Sequence, residues 1–223
     1  MELHEQKLEQ SKEMARVINN YPGDYLLSFC ELEYADFLEA SPVKKKAYVL
    51  KESELSADKK QKAKELDLDV LELTGYKMPF EDESIDVIVA AHHLSALSKP
   101  LYFLQDIARV LKPGGHFLVL EHNPFCLQTL RILWQEKISK KDLTYSFTPT
   151  MRLKSWLKDL SFDIVSSREL KLAKNIFGKA ISTDYIMVAE KRAIPLTTVK
   201  SKNSKDKVVV GKIADTASNL SKE

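Results

Sequence analysis

The segment Lys112-Pro113-Gly114-Gly115 joins two stretches of different periodicity. Before it, Leu101, Leu104, Ile107, Ala108 and Leu111 recur at helical spacing. After it, His116-Phe117-Leu118-Val119-Leu120 is a short apolar run of strand length. Pro113 cannot continue a helix, because it lacks an N–H and its ring clashes with the preceding turn. The two glycines then supply the free φ angles needed to bring the chain back into a sheet. A helix followed at once by a buried strand restricts this part of the chain to an α/β arrangement.

The rest of the sequence repeats that alternation. Residues 2–19 set Leu3, Leu8, Met14, Val17 and Ile18 among charges and predict a surface helix, closed by Asn19-Asn20-Tyr21-Pro22-Gly23. Tyr25–Phe29, Ala47–Leu50 and Val70–Leu73 read as the first three strands, and residues 34–38 as a short helix between the first two. Ile85–Ala91 is a continuous apolar run, as expected of a central parallel strand buried on both faces. Phe117–Leu120 is the fifth strand. Residues 125–136 read as an inserted helix, and Thr150 as the cap of a helix over 151–160 with an apolar stripe at Leu153, Trp156, Leu157 and Leu160. Phe162–Val165 and Ile181–Ala189 supply two last strands. Strands alternating with helices predict a doubly wound, mostly parallel sheet. Ligands of such sheets bind at the carboxyl ends of the strands, where the strand order switches direction.

About thirty residues upstream of the glycine turn stands Met78-Pro79-Phe80-Glu81-Asp82-Glu83-Ser84-Ile85-Asp86-Val87-Ile88-Val89. Together with Arg109-Val110-Leu111-Lys112-Pro113-Gly114-Gly115 it resembles the second half of a class I, type 11-like S-adenosylmethionine (SAM)-dependent methyltransferase, over roughly residues 70–125. The resemblance implies a Rossmann-like fold, an antiparallel last strand and SAM as cofactor. Glu121-His122-Asn123-Pro124-Phe125 and Lys191-Arg192-Ala193-Ile194-Pro195-Leu196 further resemble an uncharacterised proteobacterial subgroup with a degenerate glycine-rich loop and a basic C-terminal tail.

The first half departs from the family pattern. The family's acidic-x-Gly-x-Gly-x-Gly loop falls on Ser28, Cys30, Leu32 and Tyr34, and no glycine stands between Gly23 and Gly75. Phe29–Leu38 therefore reads equally well as packed core filling that space. By the resemblance, Glu52 is the candidate for the ribose hydroxyls, one residue past the expected place at Lys51, and is otherwise a solvated loop charge. Thr74 takes the adenine-binding position, or is simply a turn residue before Gly75. His92 or His93 would line the methionyl and substrate side. The candidate cofactor contacts are thus Ser28, Cys30, Glu52, Thr74 and His92. No catalytic residue is assigned. No metal ligand set is read either, since adjacent histidines point apart and no third ligand is evident.

The charge distribution frames the remaining expectations. Residues 191–223 hold eight Lys/Arg against Asp206, Asp215 and Glu223, a net of +5, which leaves −3 for residues 1–190 out of the total of +2. The predicted organisation is a helix over 1–20, a methyltransferase-like domain over 21–190, and a basic, disordered tail over 191–223. That tail could contact nucleic acid, but it lacks interleaved aromatics, and a solvated extension is the better reading. No apolar run is long enough to span a membrane, the N-terminus has no apolar signal core, and Cys30 and Cys126 suggest no disulfide framework, so a cytoplasmic setting is expected. Two functions remain open: a SAM-dependent methyltransferase acting on an unknown methyl acceptor, or a catalytically inactive methyltransferase-like binding or regulatory module.

Overall fold

The computed structural model describes residues 2–30, 32–51, 68–73, 77–123, 148–174 and 180–193. The elements are α1 (Glu2–Ile18), β1 (Tyr25–Phe29), a 3-10 helix (Leu32–Ala40), β2 (Lys45–Lys51), β3 (Asp69–Leu73), β4 (Ile85–Ala91), a 3-10 turn (Leu94–Ala96), α2 (Pro100–Val110), β5 (Leu111–His122), α3 (Thr150–Asp159), β6 (Phe162–Lys174) and β7 (Ala180–Lys191). The seven strands form one sheet in the order β3-β2-β1-β4-β5-β7-β6. β1 to β5 run parallel; β7 is antiparallel to both β5 and β6. The predicted doubly wound sheet with a reversed last strand is present. The switch in strand order lies between β1 and β4, where successive connections depart in opposite directions.

Alternation along the strands divides the core into two layers. Leu27, Ile88, Phe117, Val119 and Met187 face the side that also buries Leu104 and Ile107 of α2 and Leu153 and Leu157 of α3. Leu26, Val87, Val89, Leu118, Ile186 and Val188 face the other side and pack with Met14, Val17 and Ile18 of α1. The heptad-like spacing of those α1 residues is therefore a core stripe. β4 is buried throughout apart from Asp86, as a central strand covered on both faces must be.

Several boundaries differ from the sequence reading. Regular pairing of β5 starts at Leu111, six residues before Phe117, because Ile85 pairs with Leu111 and Val87 with His116. The Lys-Pro-Gly-Gly segment is thus a bulge inside the ladder. Gly114 carries the left-handed backbone there, at φ +78°. Gly115 is required for space: a Cβ would lie 2.8 Å from the Lys112 carbonyl oxygen and 2.9 Å from that of Asp86. Thr150 is the first residue of α3, with Pro149 at the cap position, so it does not cap that helix. β6 and β7 both outrun their predicted lengths and pair from Phe162–Lys191 through Lys174–Ala180. The proposed inserted helix over 125–136 and the tail beyond 193 lie outside the described residues.

The amino-terminal side of the sheet is held by ion pairs. Asp86 accepts the N–H groups of Asp24 (3.0 Å) and Tyr25 (2.9 Å) and pairs with Lys112 at 2.7 Å. Burial pushes the Asp86 carboxyl up, but Lys112 and the two N–H bonds outweigh it and hold it below the usual carboxylate range. Arg109 reaches Asp106 (2.7 Å), Asp82 (2.8 Å) and the carbonyls of Phe80 and Met78. The Met-Pro-Phe segment is thereby tied to α2.

Candidate active site

The carboxyl ends of β1 and β4 meet at the switch point. At the end of β1, Ser28 is fully buried and its Oγ lies 3.2 Å from Cys30 Sγ. The Tyr48 hydroxyl, from β2, donates to the Cys30 carbonyl. Phe29, on the other face, packs edge-on against Phe103 with ring centroids 4.9 Å apart, and His93 lies 5.2 Å from it. The chain then enters the 3-10 helix Leu32–Ala40. The side chains of Ser28 and Cys30 are therefore turned toward one another. Glu52 and Thr74 lie outside the described residues. A glycine cradle around a methionyl chain needs bare backbone. The described side chains that follow β1, Cys30, Ala35 and Phe37, are buried, and none of these residues is the glycine that such a cradle uses.

The end of β4 is built differently. His92 has a left-handed backbone at φ +53°, unusual for a residue with a Cβ, and its N–H donates to Leu120 of β5 at 2.7 Å. Its ring stacks on that of His122 with centroids 4.1 Å apart. His122 and Asp184 are direct partners across the β5–β7 ladder, and Nδ1 of the imidazole lies 2.5 Å from Oδ1 of the carboxylate. Asp184 is fully buried. Burial, and next the neighbouring His122, push His92 down to about 3 despite the opposing Asp184, so His92 is neutral near pH 7.

On the opposite face of the same two strands stand Glu121 and Tyr185, which are also direct partners. One oxygen of Glu121 accepts the N–H groups of Leu94 (2.7 Å) and Ser95 (3.4 Å), which fixes the turn that follows His92 and His93. Burial pushes Glu121 up to about 7, against the lowering effect of those bonds. Tyr185 is pushed up by burial and then by Glu121. Near Asp184, a cavity of about 540 Å³ opens between α1 and β6, lined by Gln10, Arg16, Arg168, Glu169 and Asp184 among others. Gln10 is only 3% exposed, and neither atom of its amide has a hydrogen-bond partner.

Of the sequence candidates, then, the structure places His92 in a polar cluster and brings Ser28 and Cys30 into contact with each other; Glu52 and Thr74 lie outside the described residues. Glu121, His122 and Asp184 were not anticipated. A lone acid inside the apolar stretches Phe117–His122 and Asp184–Ala189 was the available signal, because a buried acid requires partners.

The sheet order, with β7 reversed between β5 and β6, sets the comparison with known proteins. Residues 39–119 match the family model described as a methyltransferase domain. A SAM-dependent methyltransferase from Archaeoglobus fulgidus superposes with a TM-score of 0.65 at 14% identity, covering 83% of this chain and 94% of that one. The YcgJ protein of Bacillus subtilis gives 0.62 at 14% identity, covering 83% and 99%. The fold is the class I methyltransferase fold. In sequence, this methyltransferase-fold chain is 34% identical to the uncharacterized protein YafS of Escherichia coli over 142 residues, 58% of each chain. It thus spans little more than half the length of that curated relative. SAM is the methyl donor named for the Archaeoglobus structure. Within this methyltransferase fold, the His92–His122–Asp184 cluster sits beyond the carboxyl ends of β4 and β5, on the side where ligands of such sheets bind. No helix among the described residues is long and apolar enough to cross a membrane.

Proposed function

We propose that this chain is a SAM-dependent methyltransferase of the same subgroup as the Escherichia coli relative, with an altered cradle for the methionyl end of the cofactor. The observation that carries the reading is the complete class I sheet, including the reversed β7, coinciding with a methyltransferase-domain match over residues 39–119. SAM, when bound, supplies an electrophilic methyl group. The protein's task is to align an acceptor nucleophile with that carbon and to exclude water, which can be done without an obligatory catalytic side chain. That no nucleophile–base triad stands among the described residues is therefore no argument against the activity.

The turn after β1 bears on how the cofactor would be held. Ser28 and Cys30 contact each other and no glycine follows them before Gly75, so the methionyl end would be held by fewer close backbone contacts than a glycine cradle gives. Glu52 and Thr74 are the proposed contacts to ribose and adenine, from their places just past β2 and β3 in the sequence. Adenosine should then account for most of the affinity. Isothermal titration of the purified chain tests this: SAM, S-adenosylhomocysteine and adenosine should bind weakly and with similar strength. Silence toward all three at millimolar concentration overturns the methyltransferase reading and leaves a methyltransferase-like binding module. Tight SAM binding with adenosine excluded would keep the activity and overturn the altered cradle.

A further inference from the structure

We propose that His92, His122 and Asp184 form a binding site for one divalent first-row transition-metal ion, with Zn2+ as the reference case. Each residue can present one donor atom, and the three donor atoms lie within 4.8 Å of one another. They come from three neighbouring strands: His92 just past β4, His122 closing β5 and Asp184 within β7. The ladder itself brings two of them together, because His122 and Asp184 are directly paired residues on the same face of the sheet. The third is brought in by the left-handed backbone at His92, which turns its ring onto His122.

The donor set decides the class of ion. Two imidazole nitrogens and one carboxylate oxygen suit zinc, iron, cobalt or nickel, and suit calcium or magnesium poorly, since those prefer all-oxygen shells. Three protein ligands also leave coordination positions for water or another ligand. Donors around a tetrahedral zinc ion sit about 2.0–2.2 Å from it, so each pair of donors is about 3.4 Å apart. From separations of up to 4.8 Å, the cluster needs a contraction of at most about 1.4 Å to reach that geometry, within reach of side-chain rotations. The 2.5 Å contact between His122 Nδ1 and Asp184 Oδ1 would open to admit the ion. The proton between them moves to Nε2 if the ring is neutral, or leaves to solvent if it is an imidazolium.

Two neighbouring features support a ligand here. Glu121, the residue before His122, accepts the N–H groups of Leu94 and Ser95 and so fixes the loop that carries His92. Supporting bonds of that kind orient ligands in metal sites. The cavity that reaches Asp184 is also lined by Gln10, whose buried amide has neither atom satisfied. A metal-bound water in that cavity could use an amide acceptor or donor. Side-chain access is present, since His122 is 29% exposed.

The test uses the full chain, stripped with a chelator and desalted, with no SAM present, so its outcome is independent of the proposed activity. Co2+ titration should saturate at one equivalent. It should give visible ligand-field bands without the near-ultraviolet thiolate band that Cys30 or Cys126 would produce. Zn2+ should compete for the site and raise the thermal midpoint. Asp184→Asn and His122→Gln should each weaken Co2+ by more than about 100-fold while keeping the circular dichroism spectrum. If Asp184→Asn does not fold, the partly exposed His122→Gln carries the comparison. No saturable binding up to millimolar Co2+ or Zn2+ overturns the proposal. So does binding that persists unchanged in the folded variants, which would place the ion elsewhere.

Discussion

Asp86 and Glu121 are two carboxylates on adjacent strands of one sheet, and each accepts a pair of backbone N–H groups. Their charge states are driven in opposite directions. Asp86, near the amino end of β4, is 21% exposed and has Lys112 at 2.7 Å, and its carboxyl is held low. Glu121, near the carboxyl end of β5, is 3% exposed, and burial pushes it up to about 7. The number of hydrogen bonds therefore does not decide whether a strand-end acid is charged; water and a neighbouring cation do. The amino side of the sheet is built for stability. The carboxyl side keeps an acid and a histidine, Glu121 and His92, far from their ordinary titration ranges, which is where chemistry is commonly found.

The strongest way to break the amino side is Gly115→Val. The added side chain would press on the Asp86 and Lys112 carbonyls, and unfolding titrations should show a loss of about 3 kcal/mol. A loss near zero would mean that the bulge can relax and that the Asp86 end is not rigid.

The next largest effect should come from the carboxyl side and carry a pH signature. The folded-state value of Glu121 is raised, so its contribution is fully favourable below the unfolded value of 4.5 and is lost as pH rises through about 7. Glu121→Gln keeps an oxygen acceptor and cannot ionise. At pH 8 the variant should be more stable than the parent by about 2 kcal/mol, with the two nearly equal at pH 4. Parallel stability curves would show that Glu121 is not held protonated.

Asp86→Asn should show the opposite dependence. A depressed folded-state value contributes stability above the unfolded value and loses it as pH falls through the folded one. The variant should cost about 1.5 kcal/mol at pH 7, and that cost should shrink as pH falls below the unfolded value and vanish once the folded carboxyl is itself protonated. A cost that persists in acid would assign the loss to packing and not to the Lys112 pair. The smallest effect should be that of Thr150→Ala. With Pro149 at the cap position, the melting midpoint should move by less than the equivalent of about 0.5 kcal/mol, where loss of a true cap costs about 1.

The parts of this architecture that were legible in the sequence are those with a local signal. The unbroken apolar run of β4 and the helical spacing of α2 lie where they were read, within a residue. β6 and β7 were read short, because Ser166, Arg168 and Glu169 look like loop composition, although an edge strand carries polar residues by necessity. The lack of glycine between Gly23 and Gly75 was plain in the sequence; the Ser28–Cys30 contact and the Tyr48 hydroxyl bonded to the Cys30 carbonyl at the end of β1 were not. The His122–Asp184 pair could not be read at all. Its partners are separated by 62 positions, and only the antiparallel register of β5 and β7 makes them neighbours.

That register has a consequence for how the molecule is made. β7 is the last strand in sequence among the described residues, yet it lies between β5 and β6, not at a rim. Until residues 180–191 have left the ribosome, one side of β5 has no strand to pair with, and β6 has no partner at all. The nascent chain therefore carries an open, strongly apolar strand edge for the time needed to synthesise the 69 residues from Asn123 through Lys191, at a translation rate of about 5–20 residues per second. Completion of the sheet is a late event of synthesis, and interruption upstream of β7 would release a chain predisposed to pair with its own copies.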